Sequence, residues 1–249
     1  MLAPLPYEEG VKRLMAKGFD GIEFAMSDRE FKPRPEFFAP GFPDEVKKWA
    51  RQYGMKAYSV SAHMDYTENE ERFDAVHDAI RIAKEMGTPV VVINGAVQND
   101  AEPFEAQYTR QVEKTGELCA YAEEVGIDLA MEYEPNFVFH SAALMLKAFG
   151  EIGSPRLKVN ADIGHFFLCE PDPTQALEDC QGLIVHAHLE NMRTGVHSHL
   201  TPYEGDMDLS KYIAKLREVG FDGMAAFDAY QYDYEAVAES VVKYFKGIF

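Results

Sequence analysis

Seven times along this chain of 249 residues, a helical stretch ends in glycine and gives way within a few residues to a β-rich apolar run. The instances are KGFDGIEF at Gly18, YGMKAYSV at Gly54, MGTPVVVI at Gly87, VGIDLAME at Gly126, IGSPRLKVNAD at Gly153, QGLIVHAH at Gly182 and VGFDGMAAF at Gly220. Glycine suits the left-handed position that ends a helix, so each instance is a stop signal with a mechanism. The helices before them carry the expected apolar stripe. Val46, Trp49, Ala50 and Tyr53 recur at i, i+3, i+4 and i+7, and Val76, Ile80, Ala83 and Gly87 repeat the pattern. The runs that follow read as short buried parallel strands at about 22–26, 57–63, 89–95, 128–134, 158–164, 183–189 and 223–229. A helix at about 7–17 precedes the first clear strand, and another at about 233–246 closes the chain.

Alternation throughout, with no composition break and no linker, predicts one domain over residues 1–249, a single (β/α)8-type TIM barrel whose first strand is short or missing. Such a barrel should open on a strand. MLAPL is either the remnant of that strand or the sign of a barrel incomplete at this seam. An open doubly wound sheet is the structural alternative, weakened by the absence of a glycine-rich phosphate loop after any strand.

The formal net charge of −18 argues against a nucleic-acid partner, which needs a basic face, and against an anionic membrane. No apolar run approaches the roughly 18 residues of a spanning helix. The start of the chain lacks the basic and apolar regions of a signal peptide. Cys119, Cys169 and Cys180 are odd in number and lack metal-type spacing, so reduced thiols are expected. These features predict a soluble cytoplasmic protein with a small-molecule partner, and they leave homo-oligomer formation open.

Four metal-loving side chains sit at the tails of four successive runs: Glu132 in LAMEYEPN, Asp162 in KVNADIGHFF, His188 in LIVHAHLEN and Asp228 in MAAFDAY. A (β/α) chain gathers the C-terminal ends of its strands on one face. Three carboxylates and an imidazole converging there make a site for one divalent cation, of the Mn²⁺, Mg²⁺, Co²⁺ or Zn²⁺ kind. Each residue also has a plainer reading. Glu132 could lie on the surface just past its strand, and Glu134 faces the same way as its rival. Asp162 suits the cap of a following helix, with His165 three residues on. His186 shares a side with His188 and is either its neighbour in the site or a satisfied core histidine. Asp228, if buried, needs a partner, and a cation is one way to supply it.

From residue 5 onward the chain resembles the sugar-phosphate isomerase/epimerase group, whose xylose-isomerase-like barrel also includes endonuclease IV. The likeness rests on GFDGIEF, Glu132, the DIGH turn, His188 with Arg193 beyond it, HLTPYEGDMDL and GFDGMAAFD. The last two are similar to the family segments H-P-G-x-G-x-hydrophobic-D and G-Y-D-G…E. These motifs are specific for the superfamily and poorly specific for substrate. The resemblance implies that Glu132, Asp162, His188 and Asp228 are the metal quartet and that His165 and Arg193 contact substrate oxygens, with His63 and Glu134 as further substrate-binding residues. The family usually has Glu where Asp228 stands. The shorter arm would move a base by about 1 Å, enough to cost on the order of 100-fold if uncompensated.

The expected chemistry is metal-assisted proton transfer on a keto sugar or related polyol-ketone through an enediolate, with Glu132 and Asp228 as the acid/base pair. Two bases on opposite faces give epimerisation, and one shuttling base gives isomerisation. A dehydratase acting on a keto sugar or keto-inositol would need an acid such as His165. An abasic-site endonuclease is a second class, since His63, His165, His197 and His199 could hold further metals. Against it, Asn94 and His197 depart from that enzyme's ligand pattern and the chain is acidic. A non-catalytic subunit is the third class. The acidic balance favours a neutral sugar over a sugar phosphate, with Arg193 the one evident cation near the site.

Overall fold

The computed structural model describes residues 5–28, 30–229 and 231–249. Its elements run α1 (Tyr7–Ala16), β1 (Gly21–Ala25), α2 (Phe42–Tyr53), β2 (Lys56–Ser61), α3 (Glu70–Met86), β3 (Val90–Ile93), α4 (Phe104–Val125), β4 (Asp128–Met131), α5 (Ala142–Ile152) and β5 (Leu157–Asp162). They continue with α6 (Ile163–Cys169), α7 (Pro173–Asp179), β6 (Ile184–Leu189), β7 (Asn191–Arg193), β8 (Val196–Leu200), α8 (Leu209–Glu218), β9 (Met224–Phe227) and α9 (Tyr234–Ile248). The seven helix-ending glycines all take the left-handed conformation, with φ from 66° to 91°.

Seven parallel strands form one sheet in the order β1-β2-β3-β4-β5-β6-β9, curled into a nearly closed barrel with the helices outside. Among the described residues no ladder joins β9 back to β1. The two edges still meet: a Cβ built on Gly21 would lie 2.4 Å from Met224 Cε and 2.6 Å from the Lys56 carbonyl oxygen. The glycine is demanded by the close β2 backbone at Lys56, and it also leaves room for the Met224 side chain from the opposite edge. Four of the five residues of the MLAPL segment, 1–4, lie outside the described residues.

Each expected strand is present and starts within one residue of its predicted position. Most stop one to three residues early, because the residues at their tails leave the ladder to build loops at the C-terminal rim. The sequence reading gave no hint of the antiparallel hairpin β7–β8, inserted between β6 and α8.

Alternation along the strands sorts the core. Val91, Ile93, Leu129, Met131, Val159, Ala161, Ala187 and Leu189 belong to the large cluster packed against the helices. Val90, Val92 and Ala130, with Tyr58 and Val185, make a small separate plug in the barrel. The interior is otherwise lined by polar side chains in register, Asn160 beside His186 and Asp162 beside His188. A barrel of this size is ordinarily filled by branched apolar residues, so polar layers above the plug mark the functional end.

Candidate active site

Glu132 is the first residue past β4, where its N–H still donates to the Ile93 carbonyl at 2.8 Å and so fixes the carboxylate over the barrel mouth. Its Oε2 accepts a short hydrogen bond from Asn160 Nδ2 and lies 3.0 Å from His188 Nδ1 and 3.3 Å from His63 Nε2. Burial would raise the Glu132 carboxyl, but the His188 and His63 rings hold it well below the usual carboxylate range. Asp162 ends β5 and does two jobs at once. Its Oδ1 accepts from the His165 N–H at 2.8 Å and caps α6. Its Oδ2 is fully buried, has no hydrogen-bond partner, and points to His188 Nδ1 at 3.8 Å.

His188 Nδ1 is buried between Glu132 Oε2 at 3.0 Å and Asp162 Oδ2 at 3.8 Å; burial opposes charge on the ring, yet the Glu23 and Glu132 carboxylates raise it well above the ordinary histidine range. Ligand atoms of Glu132, Asp162 and His188 all lie within 4.8 Å of one another. Asp228, one residue past β9, joins Asp162 and His199 in a second group of the same reach, with its Oδ2 3.2 Å from His199 Nδ1. The four residues singled out in the sequence are thus drawn together through Asp162. An imidazole nitrogen and a carboxylate oxygen that face each other without a hydrogen bond fit a shared cation better than they fit each other. The donor set of oxygen and nitrogen suits a divalent ion.

The remaining expected residues divide. His63 follows β2, its Nδ1 2.8 Å from Ser61 Oγ. Burial opposes charge on that ring, yet Glu132 and Glu134 raise it to about 9. Glu134 turns to Asn94, whose Nδ2 donates to its Oε1 at 2.7 Å, and stays outside the ligand groups found among the described residues. Burial and the Glu132 charge push Glu134 up to about 7. His165 is buried beside Glu132 at 3.4 Å, and burial drives its ring well below the ordinary histidine range. Its Nε2 meets His197 Nε2 at 2.9 Å, and His197 meets His199 at 3.2 Å, so three imidazoles cluster on one wall. Arg193 is exposed on the hairpin and does not line the cavity.

That cavity has a volume of about 770 Å³ and takes in His63, Glu132, Glu134, His165, His188 and Asp228. Two further carboxyls were not anticipated. Glu190 accepts from the Gly164 N–H at 2.7 Å, and burial with the nearby Asp228 charge raises it to about 8. Glu23, in the middle of β1, reaches both His186 and His188. Its signal was present as an acidic residue inside the apolar run GFDGIEF.

The model of the xylose isomerase-like TIM barrel family matches residues 11–247. The chain belongs to that family. Like its named relatives in the xylose isomerase-like TIM barrel family, it is an enzyme. The fructoselysine 3-epimerase of Shigella flexneri is 29% identical over 247 residues, 90% of this chain and 85% of that one. Among solved structures, the apo 3-keto-D-glucoside 4-epimerase of E. coli has a TM-score of 0.81 at 15% identity, covering 96% of this chain and 94% of that one. The IOLI protein, solved with a zinc atom, has a TM-score of 0.80 at 17% identity, covering 98% of this chain and 91% of that one. At these identities the two structures speak for the xylose isomerase-like fold alone.

Proposed function

We propose that this chain is a divalent-metal-dependent epimerase that moves a proton at the carbon beside the carbonyl of a keto sugar. The observation that carries the reading is the convergence of Glu132, Asp162 and His188, whose buried ligand atoms lie within 4.8 Å of one another, with Glu132 and His188 lining a cavity of about 770 Å³. Glu132, Asp162, His188 and Asp228 would hold the ion. A cation bound there would polarise the substrate carbonyl and make the adjacent C–H more acidic.

The chain's own groups supply the rest. Glu132 is kept ionised by its histidine neighbours and so starts as a proton acceptor. Asp228 comes from β9, on a different wall from β4, and is the second carboxylate, which would take a proton from solvent and return it to the opposite face of the carbon. Removal at one face and delivery at the other inverts the carbon. His63 and His165 stand beside Glu132, where they can hold substrate hydroxyls. A dehydratase would need an acid to expel hydroxide, and His165 is poorly suited because burial keeps its ring neutral. Support for a ketose comes from the fructoselysine 3-epimerase relative, and support for the metal from the zinc-bearing structural neighbour.

The reacting end of the cavity carries no Lys or Arg among the described residues. Arg34, the one lining Lys or Arg among the described residues, is occupied over the Tyr7 ring at 3.8 Å and by the Leu5 carbonyl at 2.9 Å. A sugar that is not phosphorylated near its carbonyl suits that lining. The test is deuterium incorporation in D₂O across fructoselysine, free ketoses, keto-glycosides and keto-inositols, with and without a chelator. Chelator-sensitive exchange at the carbon beside the carbonyl is expected. Exchange with none of them, by protein of confirmed metal content, would sink the reading.

A further inference from the structure

Glu23 is a part-buried acid inside the barrel that the proposed chemistry does not use. Ile22 and Phe24 on either side of it face the helix-packed core, so strand alternation sends the Glu23 carboxylate into the barrel. There it takes three contacts. Ser59 Oγ donates to Oε2 at 2.7 Å, His186 Nε2 meets the same oxygen at 2.7 Å, and His188 Nε2 meets Oε1 at 3.0 Å. Glu23 belongs to one edge strand of the sheet and His188 to the strand next to the other edge, so the contact spans the seam where no ladder is formed among the described residues.

We infer that Glu23 is the positioning residue for His188, accepting its Nε2–H and so turning Nδ1 toward Glu132 and Asp162 as the nitrogen a cation would take. The inference rests on the metal reading above. An ionised carboxylate only accepts, so the shared hydrogen belongs to the ring nitrogen. A neutral imidazole has one such hydrogen, and fixing it on Nε2 leaves the lone pair on Nδ1. That nitrogen is the one buried without a hydrogen bond, 3.0 Å from Glu132 Oε2 and 3.8 Å from Asp162 Oδ2. The two ring nitrogens face opposite ways, so Glu23 stands behind the ring and cannot share a cation with Nδ1. Backing of this kind orients a ligand histidine and raises its basicity.

His186 steadies the arrangement. Its Nδ1 lies 2.5 Å from the Met224 carbonyl oxygen on β9 while its Nε2 holds the second Glu23 oxygen. The carboxylate is therefore fixed from β2, β6 and, through His186, β9.

The test pairs two measurements on the full chain. Long-range ¹⁵N–¹H NMR of the Zn²⁺-loaded parent should show His188 keeping its Nε2–H with Nδ1 coordinated. A chelating-dye competition then compares Zn²⁺ binding by the parent and by Glu23→Gln. The amide keeps the shape but offers one acceptor oxygen in place of two. The variant should retain one equivalent of Zn²⁺ with affinity roughly 10- to 100-fold weaker, the range seen when the group behind a ligand histidine is removed. Unchanged affinity, or Zn²⁺ coordinated through His188 Nε2 with the proton on Nδ1, overturns the inference while leaving the metal site intact. A folded Glu23→Gln protein with no Zn²⁺ at all overturns it the other way, making Glu23 a ligand in a group with His186 and His188. A parent that binds no Zn²⁺ defeats the metal reading itself, and this inference with it.

Discussion

At residue scale the chemistry turns on arm length and on which oxygen is free. Asp228 stands where relatives of this kind were expected to carry Glu, and its Oδ2 rests 3.2 Å from His199 Nδ1. If Glu132 and Asp228 both move protons, Glu132→Gln and Asp228→Asn each abolish solvent-deuterium incorporation while some metal stays bound, because an amide keeps one oxygen ligand but cannot take the proton. Asp228→Glu is the sharper variant. A fall in exchange of on the order of 100-fold would mean that the site is built around the shorter arm, since about 1 Å of misplacement is worth that much. Exchange as fast as the parent's in Asp228→Asn would reduce Asp228 to a ligand. Much of this was legible in the chain. Asp162 read equally well as a cap and as a ligand, and it is placed to serve as both because its two oxygens point to different partners. Glu23 showed in the sequence only as an acid inside the apolar run GFDGIEF, and its place beside His186 and His188 comes from the closure that brings β1 round to β6. Arg193 shows the converse. The sequence places it just past His188, but the hairpin carries it out to solvent.

At the scale of elements, the turn from β5 into α6 shows how tightly the site is tied to the backbone. The DIGH segment puts the Asp162 cap, the Gly164 N–H and the His165 ring within four residues. Gly164 is there for space: an added Cβ would sit 2.4 Å from Glu190 Oε1 and 2.4 Å from Met192 Cε, both buried. Gly164→Ala should therefore destabilise the fold by about 1–3 kcal/mol, the usual cost of overpacking a closed core. Urea denaturation measures it, and a midpoint equal to the parent's would show that Glu190 and Met192 can yield. Strand starts were legible to within one residue because glycine stop signals and apolar runs are local. The β7–β8 hairpin was not, since VHSHL alternates over only five residues and its short partner strand carries no repeat of its own.

The whole molecule carries a formal charge of −18 and still buries Glu132, Asp162 and Glu190 together near the end of the barrel. Burial pushes the Asp162 carboxyl well above its ordinary range, and the Glu190 and Glu132 charges push the same way. A divalent cation that binds only the folded chain offsets that repulsion and stabilises the fold by mass action. At a free concentration 100 times the dissociation constant the gain is about 2.7 kcal/mol. For a chain of this size each kcal/mol moves the melting temperature by roughly 2–4 °C. Excess chelator should then lower the melting temperature by about 5–10 °C, and returning Zn²⁺ or Mn²⁺ should restore it. Asp162→Ala is the control that ties the shift to this place, because it removes the unsatisfied oxygen. That variant should purify without stoichiometric metal and melt at one temperature with or without chelator, about 1 kcal/mol below the chelated parent for the lost cap of α6. Metal content unchanged in Asp162→Ala would put the cation elsewhere. A second equivalent in the parent would point to the wall of His165, His197 and His199, where three imidazole nitrogens already lie within 4.8 Å.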